Sequence, residues 1–201
     1  GSLIEGVSTV ENISLNNDVL STIECLRKCN IKITVNDAIV KIEGGTMSPP
    51  SDILNCGNSG TTARMLIGLL CGQNISAKLS GDESLSLRPM KRIISPLINS
   101  GAKILSNDNK LPIEIKQGIQ SPILYEKNTK SSQVISSLLF AGIGYNKFSK
   151  ILFNEFTRDH TELLFKYLKF DLKYKKNFLF VKKSNSVRKF RMNIPGDISN
   201  A

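Results

Sequence analysis

One pattern occurs three times along this chain. Residues 18–34 (DVLSTIECLRKCNIKIT), 90–105 (MKRIISPLINSGAKIL) and 159–174 (DHTELLFKYLKFDLKY) each space apolar side chains as an amphipathic helix does, break, and then alternate as a strand. A second short strand follows every copy: AIVKIEG (38–44), LPIEIKQG (111–118) and NFLFVKK (177–183). Between the copies lie TTARMLIGLLCG (61–72) and SSQVISSLLFAGIG (131–144), nearly all apolar after a polar first turn. A helix apolar on every side belongs inside a domain. Strands SAKLSG (76–81) and KILFNE (150–155) come next, so the unit reads strand–helix–strand–helix–strand–strand. Units too small to bury their own faces gain stability by packing their apolar helices together. The pattern predicts one α/β domain of three related βαβαββ units around buried helices, with no Pro/Ser linker dividing it.

The ends qualify that picture. GSLIEGVSTVENI reads as the end of a helix and a strand, and NIPGDISNA as a strand and the turn into a helix. The first unit is therefore expected to lack its own first strand and most of its first helix. At 201 residues, 40% hydrophobic and 22% charged, the chain has the composition of a globular protein with ample core. No apolar stretch is long enough to span a bilayer and no signal-peptide pattern opens the chain, so a cytoplasmic location without membrane contact is expected. Cys25, Cys29, Cys56 and Cys71 show no C-x-x-C spacing, and buried free thiols suit them better than zinc. With His160 as the single histidine, neither a metal nor a cofactor is expected. The net charge of +10 permits an acidic partner, but the basic residues are spread widely and only 6% of residues are aromatic. Nucleic acid is not expected, since no RNP-like aromatic platform or zinc finger accompanies the charge.

The stretch NCGNSGTTARML (55–66) turns abruptly from glycine and small polar residues to apolar ones. A loop entering a helix exposes its first N–H groups, and the helix dipole makes that end attractive to anions. Gly57 and Gly60 would let the backbone approach a ligand, and Thr61 and Thr62 add hydroxyl donors. The stretch matches neither the P-loop nor the dinucleotide fingerprint. It reads either as an anion cradle or as a plain N-capped helix.

Four segments carry a resemblance. LNCGNSGTTARMLIGLL (54–70), GDESLSLRPMKRIISPLINSGAKI (81–104), SSQVISSLLFAG (131–142) and TRDHTE (157–162) occur in the order and spacing of the EPSP synthase (3-phosphoshikimate 1-carboxyvinyltransferase) family. The RDHTE form resembles the branch described as class II. The resemblance covers essentially the whole chain and implies an enolpyruvyl transferase-like fold, of which residues 1–201 would be most of the first of two domains, truncated at both ends. It implies transfer of the enolpyruvyl group of phosphoenolpyruvate to shikimate 3-phosphate, through a tetrahedral intermediate that expels phosphate. The expected partners are those two substrates and a C-terminal domain, in an enzyme that is a monomer when complete.

The resemblance also assigns residues. Asn58, Gly60 and Thr61 would line the phosphoenolpyruvate pocket and Arg88 would grip its phosphate, a two-point contact that guanidinium makes and lysine does not. Arg88 reads on its own equally as a surface ion pair. Ser131, Ser132 and Gln133 would serve the shikimate phosphate and bridge to the second substrate, or the serines cap the helix, as serines routinely do. Thr157 stands where the family usually has a serine on the shikimate phosphate. Arg158 is either a ligand or the partner of Asp159 or Glu162, and His160 either stacks on substrate or serves the fold.

Two departures stand out: Ile135 replaces the lysine common in class II members, and the lead-in YEKNTKSSQ is unusually charged. The family's Lys-Ser…Arg turn would lie before Gly1 and its acid–base carboxylates and lysine in the second domain, so no catalytic residue is expected here and no turnover by this piece alone. A sister enzyme that acts on a UDP-sugar usually carries a cysteine before its Arg-Pro pair, and GDESLSL (81–87) has none. An RNA-end-processing module of related fold is the remaining alternative.

Overall fold

A computed structural model of the chain describes residues 1–127, 129–153, 158–184 and 187–195. The first unit comprises β1 (Gly6–Glu11), α1 (Asn17–Lys28), β2 (Lys32–Asn36) and β3 (Ile39–Gly44). The second runs β4 (Leu54–Asn55), α2 (Gly60–Gly72), β5 (Ala77–Ser80), a short α3 (Glu83–Ser86), α4 (Lys91–Asn99), β6 (Lys103–Ser106) and β7 (Ile113–Gln117). The third runs β8 (Leu124–Tyr125), α5 (Ser132–Gly142), β9 (Ser149–Leu152), α6 (His160–Tyr167), β10 (Leu172–Lys175) and β11 (Phe178–Val181), and β12 (Arg191–Asn193) follows. Every predicted helix and strand within residues 18–183 is present, with ends moved by a few residues at most, and residues 154–155 of the predicted strand 150–155 lie outside the described residues.

The strands form three four-stranded sheets of one design: β12-β1-β3-β2, β4-β5-β7-β6 and β8-β9-β11-β10. In each, the first pair is parallel and the other two are antiparallel. This repetition bears out the threefold reading and adds one pairing to it. The place that β4 and β8 hold in the other two sheets is taken in the first by β12, whose Arg191, Met192 and Asn193 pair with Thr9, Val10 and Glu11. Alternation explains the burial: Ala77 and Leu79 of β5 and Ile113 and Ile115 of β7 point inward, while Lys78 is exposed.

Helices α2 and α5 lie in the interior, with Leu66, Ile67, Leu70, Ile135, Leu138 and Leu139 at 2% exposure or less. They approach through small residues. A Cβ placed on Gly68 would collide with the Ser137 carbonyl oxygen, and one on Gly72 with the backbone of Ala141. Arg64 meets Gln133 one turn earlier. Since 64/133, 68/137 and 72/141 advance together in steps of four, the helices run parallel and both N-termini open on the same side. All four cysteines are free and buried, as expected. Among the described residues no helix is long and apolar enough to cross a membrane.

Candidate anion-binding site

The first wall of the site is the turn from β4 into α2. Gly57 adopts φ +57°, the left-handed conformation that glycine enters without cost. Ser59 caps α2, its Oγ accepting from the Thr62 N–H at 3.1 Å. Gly60 then opens the helix. A Cβ there would lie 2.6 Å from Nη1 of Arg64 and 3.3 Å from Nη1 of Arg88, so two guanidinium groups meet over the one residue without a side chain.

Arg88 reaches this point from the turn after α3. Its Nη2 donates to Asn58 Oδ1 at 2.8 Å, and Asn58 Nδ2 donates to Asp82 Oδ2 at 2.7 Å. Asp82 in turn caps α3 by accepting from the Leu85 N–H at 2.8 Å. That backbone bond, then the Asn58 amide, holds the Asp82 carboxyl below the usual carboxylate range, and the Arg88 charge adds to the effect. The second wall is the start of α5. Arg64 Nη1 donates to Gln133 Oε1 and Gln133 Nε2 donates to Thr61 Oγ1, both at 2.9 Å. Burial, and then the neighbouring Arg88 charge, pull Arg64 below the ordinary arginine range. Neither arginine has a carboxylate ion pair among the described residues. Two like charges held together without a direct ion pair among the described residues form a place where an oxyanion is electrostatically favoured.

The expected residues divide into three groups. Asn58, Gly60, Thr61, Arg88 and Gln133 form one connected set, with Ser131 on the same cavity wall as Arg64 and Gln133. Ser131 is the N-cap of α5 but makes no side-chain cap bond, and its N–H donates to Thr129 Oγ1 at 3.2 Å. Ser132 follows, half-buried. Arg158 and His160 are exposed at the opening of α6, where Thr161 Oγ1 lies 2.7 Å from Ser136 Oγ, one helical turn along α5 from Ser132. No ion pair joins Arg158 to Asp159 or Glu162 among the described residues. Thr157 lies outside the described residues. Sequence reasoning missed Arg64 altogether, although its place three and four residues after Thr61 and Gly60 puts it on their helical face. It also missed Asp82, the carboxylate that steadies Asn58.

Three four-stranded sheets around two buried helices, with guanidinium groups and side-chain amides gathered where those helices open, define an α/β domain with a candidate oxyanion site. The profile of the EPSP synthase (3-phosphoshikimate 1-carboxyvinyltransferase) family matches residues 1–201. The 3-phosphoshikimate 1-carboxyvinyltransferase of Caldicellulosiruptor bescii is 38% identical, aligned over 100% of this chain and 48% of its own length. That of Vesicomyosocius okutanii is 39% identical over 100% and 47%. A solved EPSP synthase from Acinetobacter baumannii superposes with TM-score 0.90 at 31% identity, covering 99% of this chain and 47% of that one. The chain belongs to the EPSP synthase family. It spans about half the length of the relatives it matches.

Proposed function

We propose that residues 1–201 form most of the first of two domains of an enzyme that transfers the enolpyruvyl group of phosphoenolpyruvate to shikimate 3-phosphate. A hydroxyl oxygen of shikimate 3-phosphate gives up its proton and bonds to the enol carbon while the methylene carbon takes up a proton, and the tetrahedral intermediate then loses a methyl proton and expels phosphate, which restores the double bond. The observation that carries the reading is the meeting of Arg64 and Arg88 over Gly60, without a carboxylate between them. Guanidinium donors suit phosphate because they offer parallel N–H groups in one plane. In this reading Arg88, Asn58, Gly60 and Thr61 hold phosphoenolpyruvate, with Arg64 beside them. Gln133 bridges the two substrates. Ser131, Ser132 and Thr157 take the shikimate phosphate, with Arg158 and His160 at its edge. The chain positions charge, while proton transfer falls to groups of matched pKa in the second domain.

The complete enzyme is read as a cytoplasmic monomer that needs no metal or cofactor. Nucleic acid is no part of the proposal, since Lys150 sits 4.0 Å from the Phe178 ring centroid and Lys173 and Lys182 sit over Phe148, covering ring faces on which bases would stack. The absence of cysteine from residues 81–87 weighs against a UDP-sugar acceptor. The test is calorimetry of shikimate 3-phosphate on this chain, with steady-state rates of the complete enzyme on both acceptors. Weak binding without turnover by the chain is expected, with turnover of shikimate 3-phosphate alone by the whole. Use of UDP-N-acetylglucosamine, or turnover by the chain by itself, would overturn the assignment.

A further inference from the structure

A cavity of about 840 Å³ extends away from Arg64, Gln133 and Ser131, between α4 and the segment from Leu124 to Val134. Its outer part is lined by Lys91, Arg92 and Lys127, none of which the functional reading uses. The one carboxylate on its wall among the described residues, Glu126, is engaged by Lys150 Nζ at 2.7 Å. The cavity is thus rich in cations with its acid already occupied.

The opening of α4 sharpens the imbalance. A helix N-terminus carries partial positive charge and favours acidic residues in its first turn. Helices α1 and α3 follow this rule with Asp18 and Glu83, and asparagine and aspartate caps precede them. Helices α2 and α5 have no acid in their first turn either, but among the described helices α4 alone opens on cations: Lys91 and Arg92 are its first two residues, and Met90 gives no side-chain cap. Two cations at the positive end of a helix repel that end and each other, and an anion between them removes both penalties. Arg92 also faces the buried Tyr125, whose hydroxyl bonds to Thr129, the residue that accepts from the Ser131 N–H. The outer cations and the start of α5 therefore share one wall.

We propose that this cavity is a second oxyanion subsite, which takes a phosphate group between Lys91, Arg92 and Lys127 and adjoins the inner site through Arg64. Two sources share that chemistry: free inorganic phosphate, and the phosphate of a small phosphorylated carboxylate such as phosphoenolpyruvate. As a station beside the inner site, the subsite rests on the functional reading above; as a binding site it does not. Amide chemical shifts of the 201-residue chain, titrated first with inorganic phosphate and then with phosphoenolpyruvate, test it. Phosphate should move the amides of Lys91, Arg92 and Ile93 together with those of Ser131–Val134, and a tighter response to one titrant identifies the source. Arg92→Glu should weaken that response at least tenfold in a chain whose remaining spectrum shows it folded, and Lys91→Ala should weaken it less. Arg88→Ala should leave it in place while removing any response at Asn58–Thr61. Silence at the α4 amides, an unchanged Arg92→Glu, an equal response to chloride, or loss of both responses in Arg88→Ala would each overturn the subsite. The Lys91–Ile93 response alone reports the subsite, whereas the Asn58–Thr61 and Ser131–Gln133 amides report the inner site, so the two failures are distinguishable.

Discussion

Helices α2 and α5 open at the same place in their units, and the two openings are finished differently. At α2 nearly every polar group already has a partner within the protein. Ser59 caps the helix, Thr61 accepts from Gln133, and Asn58 is pinned between Arg88 and Asp82. At α5 the Ser131 and Ser132 hydroxyls make no hydrogen bond among the described residues, and the lead-in carries Glu126, Lys127 and Lys130. The repeat supplies one backbone geometry and two degrees of preorganisation. A site fixed in advance loses less entropy when its ligand arrives, whereas free hydroxyls must be ordered by the ligand itself. In the proposed function, the α2 side is the rigid grip on phosphoenolpyruvate and the α5 side is completed by shikimate 3-phosphate.

The most severe way to break the comparison is to separate the two openings. Gly68→Val would drive a side chain into the Ser137 backbone between two buried helices, where neither backbone can move aside. Overpacking ordinarily costs about 1–3 kcal/mol, and a backbone clash in the core should exceed about 3. The expected outcome is loss of the cooperative thermal transition. A normal melt would mean that the helix pair has slack.

Arg88→Ala comes next and should act on activity rather than stability. Losing one charge-assisted phosphate contact costs about 2–5 kcal/mol when a charge is left unpaired, whereas a half-buried arginine without a direct ion pair contributes less than about 1 kcal/mol to folding. In the complete enzyme, kcat/KM for phosphoenolpyruvate should fall by roughly a hundredfold or more with the melting temperature nearly unchanged. Normal kinetics would remove Arg88 from the phosphate.

The comparison is tested most directly by a matched pair. Ser59→Ala removes a working cap and should cost about 1 kcal/mol in denaturant unfolding. Ser131→Ala removes a hydroxyl without a partner, so it should leave stability unchanged and weaken only shikimate 3-phosphate binding. Equal stability losses in the two variants would show that α5 is as finished as α2.

The smallest expected effect is one of pH. The third residue of α4 is Ile93 and the third of α6 is Glu162, and both are buried, at 1% and 3% exposure. Glu162 Oε2 has no hydrogen-bond partner among the described residues. Burial raises its carboxyl above the ordinary 4.5, Asp159 adds to the rise, and its own N–H and His160 oppose it. A carboxyl raised in the folded state costs nothing below its unfolded pKa. The loss of stability accumulates as pH rises from there through the folded value, and is complete above it. Glu162→Gln should therefore melt higher than the parent at pH 7 and match it at pH 4. A parent melt that did not fall between those pH values would show that Glu162 has a counter-charge.

Much of the fold was legible because helix and strand periods are local. Spacings of two, three and four residues predicted α1, α4 and α6, the strands after them, and the burial of α2 and α5. The site was legible in part. The Gly-Asn-Ser-Gly turn and the serines of α5 stand beside recognisable helix starts, but the Asn58–Arg88 and Asn58–Asp82 contacts join residues 30 and 24 positions apart. The basic residues are spread widely, but their excess over acids gathers late in the chain. Residues 145–201 hold thirteen lysines and arginines against five acids, and the third sheet absorbs part of that charge by laying Lys150 over an aromatic ring.

By itself the sequence determined three units, their elements and which helices are buried, since each follows from side chains a turn or a strand step apart. Two matters were left to the tertiary structure. One is the pairing of β12 with β1, between residues 182 positions apart, because a strand's edge is open to any partner of suitable register. The other is the parallel alignment of α2 on α5, which brings Gln133 to Arg64 and Thr61. Close approach at Gly68 and Gly72 sets that alignment, and a glycine shows what it admits only when the opposing backbone is in place.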